Sequence, residues 1–193
     1  MKSYCIVYLE HVLLKRRHEC IALMPVFFGG VMFSFLQKKK KQMDIVAPVD
    51  GKAIPLEAVG DGVFSEKLVG DGIAVIPEQD QVVVPVDGTV SFIMETGHAF
   101  GVQVPGGPEV LVHIGIDTVN EKGEGFQVLV KENQEVKAGM PAVLVDRKEL
   151  LRKGYNMAVM VLVPDAGKTG SLKVVLEGEV SAGKTTVLVF SGG

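Results

Sequence analysis

Residues 96–117 read TGHAFGVQVPGGPEVLVHIGID. Two apolar runs rich in Val, Leu and Ile flank Pro105-Gly106-Gly107-Pro108, so the stretch reads as a β-hairpin. Taken as a four-residue loop, the turn sets Val104 opposite Glu109, Phe100 opposite His113, His98 opposite Gly115 and Thr96 opposite Asp117. Side chains alternate faces along a strand, which puts Thr96, His98, His113 and Asp117 on one face. The two histidines are then diagonal neighbours, about 7–8 Å apart at Cα. Val112, Ile114 and Ile116 turn the other way, toward a core. A register shift of one residue would separate the histidines, so the reading depends on the loop length.

The rest of the body extends the pattern. Ile73–Ile76, Gln81–Val84, Thr89–Met94, Val110–Ile116, Phe126–Val130 and Met157–Val163 are short runs dominated by Val and Ile, bounded by Gly, Pro and Asp. Only Arg147–Tyr155 has helical character. The fold class is therefore all-β: an antiparallel sandwich or partly closed barrel of short strands with hairpin repeats and one or two short helices. Two pairs of internal echoes support the hairpin repeats. Val46-Ala47-Pro48-Val49-Asp50-Gly51 recurs as Val83-Val84-Pro85-Val86-Asp87-Gly88, and Gln134-Glu135-Val136-Lys137-Ala138-Gly139 recurs as Gly178-Glu179-Val180-Ser181-Ala182-Gly183.

The charge is unevenly spread. Residues 1–43 hold eight Lys/Arg against two Asp/Glu, while residues 44–193 hold twelve against twenty-one. An acidic body argues against nucleic acid as a partner. Both cysteines, Cys5 and Cys20, lie in the basic segment, so disulfides do not hold the body together and a reducing cytoplasm suits it. Ile21–Leu36 is a run of 16 uncharged residues broken by Pro25 and Gly29-Gly30, short of the roughly 20 apolar residues of a membrane span. Met32 is the expected natural start, with 1–31 as upstream sequence, 32–43 as a basic tail, 44–164 as the domain and 165–193 as an atypical extension. Apolar residues followed by Lys38–Lys41 would give the tail a weak contact with anionic lipid. The stretch Gly178–Thr185 matches a phosphate-loop pattern, but Thr186–Phe190 after it reads as a strand where that motif requires a helix, which excludes nucleotide binding there.

Two facing imidazoles admit two chemistries. One imidazole can act as a nucleophile while the other stabilises the charged group it receives, with Thr96 fixing the tautomer of His98. Alternatively the pair begins a zinc site, for which Asp117 would be a third ligand.

The motifs Val69-Gly70-Asp71-Gly72-Ile73-Ala74, Val84–Thr89, Glu95-Thr96-Gly97-His98-Ala99-Phe100 and His113–Val119 with Lys122–Phe126 occur in order. On these the chain resembles the glucose-type IIA component of the bacterial sugar phosphotransferase system, from about Val46 to Val163. The resemblance implies a cytoplasmic phosphotransferase component with a phosphohistidine intermediate, peripheral at the inner face of the membrane. It takes a phosphoryl group from the phosphocarrier HPr and passes it to a IIB domain of a membrane sugar transporter. It implies His113 as acceptor, His98 as helper and Thr96 as its orienting partner. Asp61, Asp117 and Phe64 become docking residues for the carrier partner. No cofactor is required, although some members bind zinc at a partner interface through the two histidines. Leu111 and Met94 stand where members often carry aromatics.

Two other readings remain to be weighed. A biotinyl or lipoyl carrier barrel needs a lysine at a hairpin tip, and Met94–Ala99 has none. A zinc hydrolase of related architecture needs a His-x-His pair with further ligands, and the body has two histidines fifteen residues apart.

Overall fold

A computed structural model describes residues 42–175 and 177–192. The expectations about a Met32 start, an anchor and a lipid-binding tail fall outside the described residues. Fourteen strands are described. They are β1 Gln42–Val46, β2 Gly51–Ile54, β3 Asp71–Pro77, β4 Gln81–Val83, β5 Gly88–Ile93, β6 Ala99–Gln103 and β7 Glu109–Ile114, followed by β8 Phe126–Val128, β9 Glu135–Val136, β10 Pro141–Val145, β11 Val159–Val163, β12 Gly170–Val174, β13 Gly178–Val180 and β14 Thr186–Gly192. Two short helices, α1 Arg147–Arg152 and α2 Ala166–Thr169, and two single 3-10 turns, Leu56–Val59 and Thr118–Glu121, complete the described elements. No helix of the described residues is long and apolar enough to cross a membrane.

All pairings are antiparallel, which bears out the all-β class. The largest sheet runs β13-β2-β3-β11-β7-β6-β5-β9, and two three-stranded sheets run β1-β14-β12 and β4-β10-β8. Val159–Val163 is buried at every position because β11 lies mid-sheet with apolar layers on both faces, so its sequence shows no alternation. The main core gathers Ile73, Val75, Phe100, Val110, Val112, Ile114, Val159 and Val161 with residues of the other sheets. Helix α1 starts where Asp146 accepts a bond from the Glu149 amide, and it ends two residues after the Leu150 that it buries.

The echoes prove to be structural partners. Val46 donates its amide to the Pro85 carbonyl and Val83 donates to Pro48, a reciprocal exchange between the two Val-x-Pro-Val-Asp-Gly copies. Asp50 accepts the Ala182 amide at 2.7 Å, and Asp87 accepts the Ala138 amide at 2.9 Å, so each first-type copy ties down a second-type copy. The body thus carries an internal near-twofold repeat, one half of which uses residues beyond 165. That region is woven into the rest. Strand β14 pairs with β1, β13 pairs with β2, and Val180, Val187, Leu188 and Phe190 join the main core. The phosphate-loop lookalike is a strand, a turn and a strand, as its sequence demanded.

Candidate functional site

The quoted hairpin forms, but one residue out of the expected register. Val104 and Pro108 bond each other across a three-residue loop, Pro105-Gly106-Gly107, closed by a Gly107 amide to Val104 carbonyl bond of 3.0 Å. The Pro-Gly pair with Gly106 at φ +65° suits a tight turn that the four-residue reading did not allow. Ala99, not Phe100, therefore stands opposite His113, and Phe100 stands opposite Val112. The expected pairs His98 with Gly115 and Thr96 with Asp117 do not form. In a regular strand this shift would turn His98 away from His113.

The histidines meet nevertheless, because His98 is not in the strand. β5 ends at Ile93, β6 begins at Ala99, and the chain reverses between them with Gly97 at φ +69°. Gly97 donates to the Met94 carbonyl, Met94 to Ala99, and Ile114 to His98. Gly97 is needed twice over, since its φ is left-handed and a Cβ there would lie 3.0 Å from Val128 and 3.1 Å from Phe126. The turn swings His98 back, and the two imidazoles sit edge to face with centroids 5.1 Å apart and an interplanar angle of 78°. Thr96 Oγ1 lies 2.5 Å from His98 Nδ1.

The face that carries His113 is apolar beneath it. Paired residues share a face, so Met160, Leu111, Leu162, Ala74 and Ala99 flank His113 on the side opposite the main core. All five are buried and stand apart from that core. Leu111 is thus fully inside and not part of a docking surface. The loop 55–70 adds the buried Leu56, Phe64 and Val69 to this second layer. Phe64, 7% exposed, lays its ring 4.7 Å from the His113 ring. Asp61 holds the turn that carries Phe64, its carboxylate accepting the amides of Val63, Phe64 and Ser65.

This setting governs the protonation of both rings. Burial lowers His98 from 6.5 to about 4. Burial, then the neighbouring His98, lowers His113 to about 3, against the pull of the Gly115 backbone and the Asp61 carboxylate. Both imidazoles are neutral near pH 7. His113 is partly exposed at its rim, yet its Nδ1 is enclosed, which leaves Nε2 as the available nitrogen.

Asp117 is the outlier among the expected residues. It is exposed, lies beyond the end of β7 in the left-handed region at φ 59°, and its charge acts on Tyr155. A Cβ at Gly115 would lie 2.4 Å from Thr118 Cγ2 and 3.2 Å from the Asn156 carbonyl, so internal packing demands the glycine. Thr118 escaped notice in the sequence. It is fully buried, its hydroxyl donates to the Ile114 carbonyl at 2.6 Å, and it fixes the chain just after His113. A buried threonine directly after an exposed aspartate carries no periodic signal. Among the described residues no group of three or more His, Cys, Asp or Glu could hold a metal ion, so Asp117 does not complete a zinc site with the pair.

Comparison with known proteins decides the family. The family described as phosphoenolpyruvate-dependent sugar phosphotransferase system, EIIA 1, matches residues 43–169. The chain belongs to this family. The glucose-specific EIIA component of Haemophilus influenzae is 39% identical over 82% of this chain and 95% of its own length. That of Oceanobacillus iheyensis is 36% identical over 81% and 95%. The solved glucose permease IIA of Mycoplasma capricolum is 38% identical and superposes with a TM-score of 0.71, covering 81% of this chain and 99% of that one. The chain also matches 21% of the length of the glucoside-specific EIICBA component of Staphylococcus carnosus, at 40% identity. The family makes the chain a phosphoryl carrier of the sugar phosphotransferase system, and the carrier-barrel and hydrolase readings have no support.

Proposed function

We propose that His113 carries the phosphoryl group as a phosphohistidine, taken from HPr and passed to a IIB domain. The observation that supports this best is the edge-to-face pair of imidazoles with Thr96 against a ring nitrogen of His98. A neutral His113 has a lone pair on Nε2, its proton residing on Nδ1. That lone pair forms the new N–P bond while the bond from phosphorus to the donor breaks, and the donor atom keeps the electron pair. With the Thr96 hydroxyl donating to Nδ1, His98 carries its own proton on Nε2 and presents an N–H toward the incoming phosphoryl oxygens. The apolar layer around the pair excludes the water that would hydrolyse the intermediate. Transfer onward reverses the same step.

The IIB acceptor is suggested by the fused EIICBA relatives, and an HPr donor by the acidic body, in which residues 44–193 hold twenty-one Asp/Glu against twelve Lys/Arg. Such partners put the chain in the cytoplasm, at the inner face of the membrane, with the basic tail giving a weak lipid contact. Asp117, exposed beside the pair's strand, is free to meet basic groups of a partner. The transfer requires no cofactor. A zinc ion would find two ligands in His98 and His113 and would need the others from a partner.

Mutation of the two histidines separates their roles. In a reconstituted transfer from phosphoenolpyruvate, His98→Ala accepts phosphate on His113 and delivers it slowly to IIB. Undiminished delivery by that variant would remove His98 from the mechanism.

A further inference from the structure

The segment 115–125 joins the strand that carries His113 to the strand behind His98, and its backbone is strained. Four non-glycine residues among those described stand at positive φ, and two of them, Asp117 at 59° and Lys122 at 53°, lie here. Such residues persist only where their surroundings over-determine them, and they gather at functional sites. The segment is fixed at both ends. Thr118 donates its hydroxyl to the Ile114 carbonyl at 2.6 Å, and the Gly125 carbonyl accepts the Asp146 amide at 2.8 Å.

Its middle is held by one cation. Lys153, the residue that caps helix α1 at its C-terminus, pairs with Glu121 and lies 3.4 Å from Glu124. Tyr155 donates its hydroxyl to the same Glu121 carboxylate. An ion pair in open water contributes little, but the Glu121 side chain is only 11% exposed. Stripped of Lys153, its charge would be nearly enclosed with a phenol as its one neighbouring donor. A carboxylate in that position turns out toward water and draws its own turn with it.

The turn in question supports His98. A Cβ on Gly123 would lie 3.7 Å from Thr96 Cα, so this glycine backs directly onto Thr96. Phe126 and Val128, next along the chain, close on Gly97. Thr96 in turn sets its hydroxyl against His98 Nδ1. A line of contact therefore runs from Lys153 through Glu121 and Gly123 to Thr96, and ends on His98.

We propose that the Lys153–Glu121 pair is a latch that presses the 118–124 turn against Thr96 and so keeps the Thr96 hydroxyl on Nδ1 of His98. Lys153 and Glu121 are positioning residues that act on phosphoryl transfer through His98. The proposal rests on His98 assisting that transfer and names what holds it ready.

The test uses the full chain, treated with chelator, in five forms: wild type, Lys153→Met, Lys153→Arg, Thr96→Val and the double variant Thr96→Val, Lys153→Met. Three quantities are read: the His98 ring-nitrogen signals by NMR, kcat and KM for delivery of phosphate to purified IIB, and stability in urea. Wild type should show the His98 proton on Nε2. Lys153→Met should move the signals toward a mixture of tautomers and lower kcat about tenfold, with KM for IIB little changed. Lys153→Arg keeps the cation and should keep the wild-type signals and kcat. Once the Thr96 hydroxyl is gone the latch has nothing to set, so the double variant should deliver no more slowly than Thr96→Val alone. If Lys153→Met loses urea stability but keeps the wild-type signals and kcat, the pair is a structural brace and the proposal is overturned. A rise in KM alone overturns it too, because Lys153 would then be a docking charge, and so does a double variant slowed by both single effects multiplied. His98→Ala is run alongside. Undiminished delivery by that variant removes the helper role itself, whereas slow delivery by His98→Ala beside an unaffected Lys153→Met sinks the latch only.

Discussion

Acid should loosen this fold through its two site histidines before its carboxylates titrate. Burial holds His98 near 4 and His113 near 3 in the folded chain, whereas both return to about 6.5 on unfolding. Between those values the unfolded chain binds protons that the folded chain refuses. Stability is therefore fully present above about pH 7 and falls as pH drops toward the folded-state values. From pH 7 to pH 5 each histidine costs about 1.9 kcal/mol, and the pair about 4 kcal/mol. His113 keeps part of its rim in solvent, so its share falls somewhat below that figure. A domain of this size has about 5–15 kcal/mol in total, so the loss is a large fraction of it. Urea unfolding followed by circular dichroism at several pH values between 5 and 7 measures the slope. The control is a His98→Gln, His113→Gln double variant, whose carboxylates titrate like those of wild type. Wild type should lose about 4 kcal/mol more than the double variant over this range. Parallel pH profiles for the two chains would refute the burial argument.

Two further outcomes follow from the same structure. Thr96→Val removes the hydroxyl that meets His98 Nδ1 and keeps the volume, so delivery of phosphate to IIB should fall about tenfold or more while His113 is still labelled; quench-flow transfer to purified IIB reads this. Leu188→Ala, in β14 and fully buried, should cost about 2–5 kcal/mol in urea unfolding, because residues beyond 165 belong to the core.

Much of this was legible in the chain itself, though not always for the right reason. Val and Ile runs cut by Gly, Pro and Asp announced an all-β body, and all six expected strands fell within two residues of β3, β4, β5, β7, β8 and β11. The short strands β1, β2, β9, β10, β12 and β13 were not anticipated, since two to five residues carry little periodicity and their pairing is set by distant partners. The echoes were visible as repeated letters. That Asp50 caps Ala182 and Asp87 caps Ala138 is a long-range fact that no local pattern contains.

The histidine pair is the instructive case. The hairpin reading brought His98 and His113 together by strand alternation in a register that proved wrong by one residue. They meet because Gly97 lets the chain reverse before β6 and returns His98 to the same face. The glycine was in view within Thr96-Gly97-His98, but its left-handed φ becomes evident only once β5 and β6 are paired. Phe64 was expected at a docking surface and turned inward, because the second apolar layer of Leu111, Met160 and Leu162 needs a cover that only a distant loop can supply. Asp117, expected beside the pair, lies beyond the end of its strand because Gly115 bends the chain at φ 75°.

The central claim is that one residue, His113, bears the phosphoryl group. Incubation of the full chain with phosphoenolpyruvate, enzyme I and HPr, followed by mass spectrometry of peptides under neutral conditions, locates it directly. The account predicts one acid-labile phosphate on His113, lost in His113→Ala and retained in His98→Ala. Phosphate on His98, or undiminished labelling of His113→Ala, would contradict it.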